Sequence, residues 1–396
     1  MLPKILFSLW FLSLNLGQFS ALSKGTFGGI YLFDLFAVLW VFGGFLYFFM
    51  VKRLKFYVPK IFFPLLGFIF IAFVSLLAVL GKFSQLELLV SGFYLFRFII
   101  YVLGGLLVYN FLHSGQFSEE FLFKLVAFSA VFISLAGFIQ LVVLPDFTKL
   151  DSSLGWDPHK NRLASTFFDP NFVGAYLVLC FNILVSGKRF YKKFYVPLVL
   201  LTVFSIFLTF SRSAWLMLAI SIFVWGVFRY RFLLFLAGVL AFSAYFAVPR
   251  VQTRISGITD PADSAHFRLI SWQNTFEIAS DNLFLGTGFN TFRFVQKDYG
   301  YFGVDWGGHS GGGSDSSLLL VLATTGVFGF LAFFGFWVVS GISGLQSIKS
   351  NPYSLVLLAS LSSLLVESFF INSLFYPQIL LFWLLIIVLY LNPSYK

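Results

Sequence analysis

The chain is predicted to be an all-α polytopic integral membrane protein, and three observations carry that prediction. Hydrophobic residues make up 59% of the sequence and charged residues 11%, against about 25% charged in a soluble globular domain. Apolar stretches near the ~20 residues needed to cross a bilayer recur from end to end. These stretches are continuous rather than alternating, which excludes barrel strands and leaves helices that satisfy their own backbone in hydrocarbon. Residues 1–396 therefore read as a single membrane domain of about twelve transmembrane helices with one large extracytoplasmic loop that contains short amphipathic helices.

The spans fall near residues 5–20, 29–51, 61–80, 92–112, 121–144, 170–186, 195–210, 213–228, 231–248, 316–341, 353–371 and 376–392. The first begins after Lys4, and no convincing small-x-small cleavage site follows it, so it reads as an uncleaved helix rather than a signal peptide. The formal net charge is +10, but its distribution argues against nucleic acid. Lys52, Arg53, Lys55 and Lys60 share one short loop, Lys188, Arg189, Lys192 and Lys193 another, and Arg229 and Arg231 a tight turn. With the N-terminus inside, these loops, Lys349 and Lys396 all lie on the cytoplasmic side, as short-loop Lys and Arg do, where they also attract anionic membrane lipids. The only cysteine, Cys180, lies within a span and reads as a small buried filler, so no disulfide or thiolate metal site forms within the chain.

That topology puts the two longest loops, residues 145–169 and 249–315, outside the cytoplasmic membrane. Within the longer one, ADSAHFRLISWQNTFEIASDN has helical character: Asp263 or Ser264 caps it, and Phe267, Ile270, Trp272 and Phe276 recur at helical spacing. It is expected to be amphipathic and to lie along the membrane surface or over a cavity. Three of the four histidines, His159, His266 and His309, fall in these loops. Ionisable residues inside spans share the outward bias: Asp34, Arg97 and Glu367 lie near outer ends, while Lys124 snorkels to the inner surface. Charges in hydrocarbon face a wet cavity or a partner, so Arg97 and Glu367 either pair and lock helices together or serve a ligand.

Three external arginines stand out. Arg162 precedes the sixth span, Arg212 occupies the SRS turn between the seventh and eighth, and Arg268 is on the amphipathic helix. Each guanidinium alone is accounted for by snorkelling to lipid headgroups. Together, with Arg97 as a fourth, they point to one shared anionic ligand, because guanidinium forks bind phosphate bidentately.

RLASTFFDPNFVGAYL, the SRSAW turn, FRLISWQNTFEIASDNLFLGTGFNTF and SSLLLVLATTGVFGFL, in that order, resemble the bacterial O-antigen ligase and O-antigen polymerase superfamily from about residue 160 to 335. Members of that superfamily are membrane glycosyltransferases at the outer face of the cytoplasmic membrane. They join a glycan carried on undecaprenyl diphosphate to an acceptor hydroxyl on a glycan, lipid or protein, and use no cofactor, metal ion or nucleotide sugar. By this resemblance Arg162, Arg212 and Arg268, with Asn171 of the DPN element and Arg97, hold the diphosphate. The family's proline after the asparagine of the DN element is replaced here, since Leu283 follows Asn282.

The resemblance also raises a question about the base. Members usually end the large loop with a His-Asn pair about eleven residues before a glycine of the next helix. Counting back from Gly326 reaches Asp315, followed by Ser316, while His309 lies six residues further upstream across SGGG. Either Asp315 is the base or the glycines let His309 take its place. A carboxylate serves for direct, inverting displacement by an acceptor hydroxyl, with the departing diphosphate stabilised by arginines. Competing with that role, SDSS before an apolar run reads as a helix N-cap supplied by Ser314 or Asp315. Gly286-Thr287-Gly288 is a lone GxG with no preceding strand and does not make a dinucleotide site. Two other functions fit the architecture. One is a transporter or flippase of lipid-linked saccharides, against which no internal repeat is visible. The other is a peptidoglycan polymerase of the shape, elongation, division and sporulation type, whose motifs match less well.

Overall fold

The computed structural model describes residues 1–25, 28–150, 158–257, 264–301 and 313–392. Every apolar stretch read from the sequence is helical. The chain runs α1 (Leu2–Ser13), a 3₁₀ segment to Ser20, a two-stranded antiparallel hairpin of β1 (Ala21–Gly25) and β2 (Gly28–Tyr31), then α2 (Leu32–Leu46), α3 (Phe63–Leu77), α4 (Gln85–His113) and α5 (Glu119–Val143). There follow α6 (Pro170–Ser186), α7 (Lys188–Tyr191), α8 (Tyr195–Leu208), α9 (Arg212–Phe228) and α10 (Phe232–Ala247). The connecting region contains α11 (Pro249–Ser256), α12 (Ser264–Asp281) and α13 (Phe292–Asp298), and the chain ends with α14 (Ser317–Gln346), α15 (Ser354–Glu367) and α16 (Pro377–Tyr390). The hairpin had no signal in the sequence reading.

Among the described residues, six helical segments are long and apolar enough to cross a membrane, fewer than the twelve spans expected: Leu32–Val51, Lys60–Leu77, Gln85–His113, Glu119–Val143, Lys188–Leu208 and Ser317–Gln346. A seventh is counted if α10 and α11, bent by 96° at Val248, form one span. α6, α9, α15 and α16 are apolar but shorter. They occupy different radial positions in the bundle. α6 and α16 are apolar on all sides and buried along nearly their whole length, which is how an all-round apolar helix sits in a bundle interior. α16 packs on α4 and α6, and α6 on α5, α8 and α9. α10 buries no residue and touches only α9 and α11 among its neighbours of any extent. Its Phe235, Phe242 and Phe246 point outward, as lipid-facing side chains do.

Polar residues gather at the two ends of the bundle. At one end Glu119 accepts hydrogen bonds from Arg189, from the Tyr353 hydroxyl at 2.6 Å and from Asn392, tying α5 to the starts of α7 and α15 and to the residue just past α16. The other end carries the starts of α6, α9, α14 and α16 and the connecting helices α11 to α13. Side-chain caps explain where these helices begin: Asp169 for α6, Ser211 for α9 and Ser316 for α14. The cap of α14 is thus Ser316, not Ser314 or Asp315.

α14 is broken at Gly326, whose φ of 64° and ψ of −170° leave the helical region. The break frees carbonyls inside an apolar element, and the rest of the chain satisfies them. Thr287 N–H donates to Ala323 O at 2.9 Å, Gly288 N–H to Thr324 O at 3.1 Å and Ser75 Oγ to Thr324 O at 2.7 Å. Gly286-Thr287-Gly288 is therefore the backbone strap across a broken helix, irregular structure tolerated because protein covers it.

Candidate functional site

α12 is helical where the sequence predicted, but a different face packs. Ser271, Thr275, Ile278 and Ala279 are buried against α14, whereas Phe276 is 62% exposed. Small side chains allow the two helices to approach; of the expected stripe Phe276 faces outward, whereas Phe267, Ile270 and Trp272 are partly buried, Trp272 against Phe370. Two hydrogen bonds clamp α12 to the start of α14. Ser271 Oγ accepts from Asp315 N–H at 3.0 Å, and Thr275 Oγ1 bonds Ser314 Oγ at 2.8 Å. Arg268 lies one turn before Ser271, the residue that bonds Asp315, on this helix. Glu367 adjoins them. It is 1% exposed, accepts a hydrogen bond from Ser373, and lies within the fields of Arg268 and Asp169. The turn after it is stitched to α14, with Ser317 N–H donating to Ser368 O and Ser317 Oγ accepting from Leu374 N–H.

A second group surrounds Asn171. Asp169 Oδ1 accepts from the backbone N–H groups of Asn171 and Phe172, starting α6. Asn171 Oδ1 in turn accepts from Arg162 Nη2 at 3.1 Å and from Ser211 Oγ at 2.7 Å, so the starts of α6 and α9 are joined through one amide. Arg162 also donates Nε–H to Thr209 O at 2.9 Å and is 7% exposed. It positions Asn171 and the SRS turn from within. Arg212, the first residue of α9, is half-buried and donates to the Arg254 carbonyl at 3.2 Å. Arg250 donates to the carbonyls of Asn161 and Lys160 and stacks over Phe210 at 4.3 Å. Asn161, Ser165, Phe168 and Phe210, all non-glycine, hold positive φ here; such strain is kept where surroundings over-determine the backbone, often at functional sites. His159 stacks on Phe147 at 4.3 Å; burial, then the charge of Arg162, pushes its pKa down to about 3, so it is neutral.

Of the sequence-predicted site residues, Arg162 and Asn171 meet directly, Arg212 follows Ser211, which bonds Asn171, and Glu367 lies in the fields of both Asp169 and Arg268. Arg97 does not join this group. Neither does it pair with Glu367: its Nη2 donates to Asp34 Oδ2 at 2.7 Å and to Gly29 O at 2.9 Å. A buried carboxylate sixty-three residues away in sequence gives Arg97 its partner, and Ser373 meets Glu367. Arg97 instead lines a neighbouring cavity of about 330 Å³ together with Tyr94, Arg293, Asn290 and the stacked pair Phe172–Tyr376. His309 lies outside the described residues. Sequence reading passed over Arg250, Arg254 and Arg293; the first two, four residues apart directly after the ninth span, carried a readable signal of one helix face presenting two cations.

A multi-helix apolar bundle with arginines and carboxylates gathered at one end defines a multi-pass membrane protein with a polar site at the bundle's rim. Residues 197–334 match the O-antigen ligase family, in agreement with the resemblance carried by the sequence motifs. The matched segment runs from α8 into α14 and includes Arg212, Arg268, His309, Asp315 and the Gly326 break, while Arg97, Arg162, Asn171 and Glu367 lie outside it. The match supports a glycosyltransferase of the ligase or polymerase type working in polysaccharide biosynthesis. The search of curated proteins finds no match.

Proposed function

We propose that the chain transfers a glycan from an undecaprenyl-diphosphate carrier to an acceptor hydroxyl at the outer face of the cytoplasmic membrane, as a surface-polysaccharide ligase or polymerase. The sequence reading of about twelve spans, with residues 145–169 and 249–315 outside, supports that face. The observation that carries the reading is the convergence of the α6 and α9 starts through Asn171, with Arg212 opening α9 and Arg268 one turn before the Ser271 that bonds Asp315. Two helix N-termini and two guanidinium groups form a preorganised cradle for a diphosphate.

In the reaction the acceptor oxygen attacks the anomeric carbon as the bond from that carbon to the phosphate oxygen breaks. The acceptor proton passes to Asp315, or to His309 as the alternative base, and the electron pair leaves with undecaprenyl diphosphate. Arg212 and Arg268 stabilise the charge that grows on the leaving group, Arg162 and Asn171 hold the turn that aims Arg212, and the product has inverted configuration. The chain's own residues accomplish this without a metal or cofactor.

Arg212→Ala and Arg268→Ala should each abolish transfer by purified protein in detergent at normal protein levels; undiminished product would rule out the roles given them. Asp315→Ala and His309→Ala, made separately, identify the base. Because detergent offers no second compartment, product formation there also rules against the transporter reading.

A further inference from the structure

The end of the bundle opposite the diphosphate cradle carries a second concentration of charge. The chain leaves α6 at Ser186, passes through α7 and a 3₁₀ turn over Lys192–Phe194, and enters α8, while a short turn joins α9 to α10. The first connection holds Lys188, Arg189, Lys192 and Lys193, and the second holds Arg229 and Arg231. Two carboxylates face them. Glu119 is bonded by Arg189, and Glu120, which lies in the field of Lys192, is paired with Lys124 at 2.7 Å. The remaining five cations, Lys188, Lys192, Lys193, Arg229 and Arg231, are exposed and form no ion pair among the described residues.

The two connections form one surface. Tyr195, the first residue of α8, lies in the fields of Tyr230 and Arg229, and α8 is in contact with α9. The longer connection is held in shape. The Tyr191 hydroxyl donates to Phe123 O at 2.8 Å and the Tyr195 hydroxyl to Val185 O at 3.1 Å, while Arg189 bonds the same Glu119 that Tyr353 and Asn392 bond. Lys192 is kept at a φ of 48°, a conformation that a lysine adopts only where its surroundings impose it. Basic residues that served only to orient the chain in the bilayer would need none of these ties.

The neighbouring surface selects the partner. The Lys193 ammonium lies 5.1 Å from the centroid of the Phe194 ring, and the Arg229 guanidinium carbon 5.4 Å from that of Tyr230. Aromatic rings of this kind sit at the level of lipid headgroups. Next to the cations the surface turns apolar: Val196, Leu200 and Phe204 are exposed at helical spacing along α8, and Phe232, Phe235, Val239 and Phe242 along α10. A partner that covers both regions is anionic at one end and hydrocarbon along the rest. A nucleic acid or an acidic protein would meet the charge and leave the apolar faces bare.

We propose that the α6–α8 and α9–α10 connections together bind the phosphate headgroup of an anionic phospholipid. Lys192, Lys193 and Arg229 take the phosphate, and the acyl chains run along the exposed faces of α8 and α10. The site stands apart from the glycan-transfer reading, so failure of either leaves the other in place.

The test is lipid binding to purified protein in an uncharged detergent, read by native mass spectrometry during titration with phosphatidylglycerol or phosphatidylcholine of identical acyl chains. Phosphatidylglycerol should bind about tenfold more tightly. Lys192→Gln combined with Lys193→Gln should weaken its binding about tenfold, and so should Arg229→Gln combined with Arg231→Gln. Lys52→Gln combined with Lys55→Gln removes the same charge from the connection between α2 and α3 and should leave the affinity unchanged. If the Lys192 variant does not fold, Lys188→Gln combined with Lys193→Gln takes its place. Equal affinity of the parent protein for the two lipids overturns the proposal. An equal loss in the Lys52 and Lys55 variant overturns it too, since net charge and not a site would then govern binding. A loss confined to one of the two connections refutes the shared site, and displacement of phosphatidylglycerol by inorganic phosphate refutes a lipid as the occupant.

Discussion

Asn171→Ala should both destabilise the protein and slow it, because one amide oxygen joins two helix starts. Asn171 Oδ1 accepts from Arg162 Nη2 at 3.1 Å and from Ser211 Oγ at 2.7 Å, and both donors are buried. Removing an acceptor from a buried charged donor costs roughly 1.5–3 kcal/mol. The hydroxyl costs less, since Ser211 Oγ still lies 3.0 Å from Ser213 Oγ; about 0.5–1 kcal/mol covers it. The sum, about 3 kcal/mol, should lower the thermal midpoint in detergent by several degrees. Half of that expressed in the transition state, through a loosened SRS turn and a misaimed Arg212, slows transfer about tenfold. Asn171→Asp separates the two effects. Its carboxylate keeps an acceptor for Arg162 and holds stability, but it puts negative charge where the diphosphate is to bind, so donor KM rises while the midpoint stays. An Asn171→Ala protein that melts and transfers like the parent refutes the coupling of α6 to α9. An Asn171→Asp protein with unchanged donor KM refutes an anion at this position.

Gly326→Ala should abolish folded yield on size-exclusion chromatography, because a Cβ there would meet Phe284 O at 2.1 Å in a backbone conformation that glycine alone adopts readily; Gly335→Ala in the same helix, whose nearest neighbour is Pro64 Cβ at 3.9 Å, should be tolerated. Glu119→Ala removes the acceptor shared by Arg189, Tyr353 and Asn392 and should cost about 2 kcal/mol in unfolding with transfer kinetics unchanged below the melting range. His159 is held neutral in the fold with its pKa at about 3, whereas the unfolded chain restores the ordinary 6.5. Unfolding below pH 6.5 therefore takes up a proton that the folded state refuses. This part of the stability is complete above pH 6.5 and is lost as pH falls toward 3. The thermal midpoint should consequently drop more between pH 7.5 and 5 for the parent protein than for His159→Phe, and equal drops would refute the assignment.

The helices were legible because a bilayer-length apolar run has one stable backbone solution, and the twelve stretches read from sequence overlap α1 to α6, α8 to α10 and α14 to α16, with ends that differ by as much as seven residues, at the end of α1 and the start of α4. Less legible were features that depend on partners distant in sequence. The face of α12 packed on α14 consists of Ser271, Thr275, Ile278 and Ala279, so close approach to α14 counted for more than apolar area, and large apolar residues at helical spacing marked a side that is only partly buried. The cap of α14 was misplaced by one or two residues, since SDSS offers several oxygens and only the register of the folded turn selects Ser316. The GTG strap lacked any local signature, because its purpose is to satisfy carbonyls that Gly326 releases almost forty residues later.

Arg97 shows most clearly where local reading stops. An arginine inside an apolar span requires a partner, and the sequence offered two acidic residues near the same end, Asp34 and Glu367, of which Glu367 was the pairing considered. The fold chose Asp34 instead, because α2 packs on α4 and places that carboxylate 2.7 Å from the guanidinium. Glu367 was left to Ser373 and the field of Arg268. The exchange divides four arginines expected to share one ligand between two adjoining compartments. Arg162, Arg212 and Arg268 remain with the helix starts, and Arg97 moves to a cavity shared with Arg293. A glycan on a diphosphate carrier presents two chemically distinct parts, a compact polyanion and a hydroxylated chain, and neighbouring compartments suit the two parts better than a single arginine-rich pocket would.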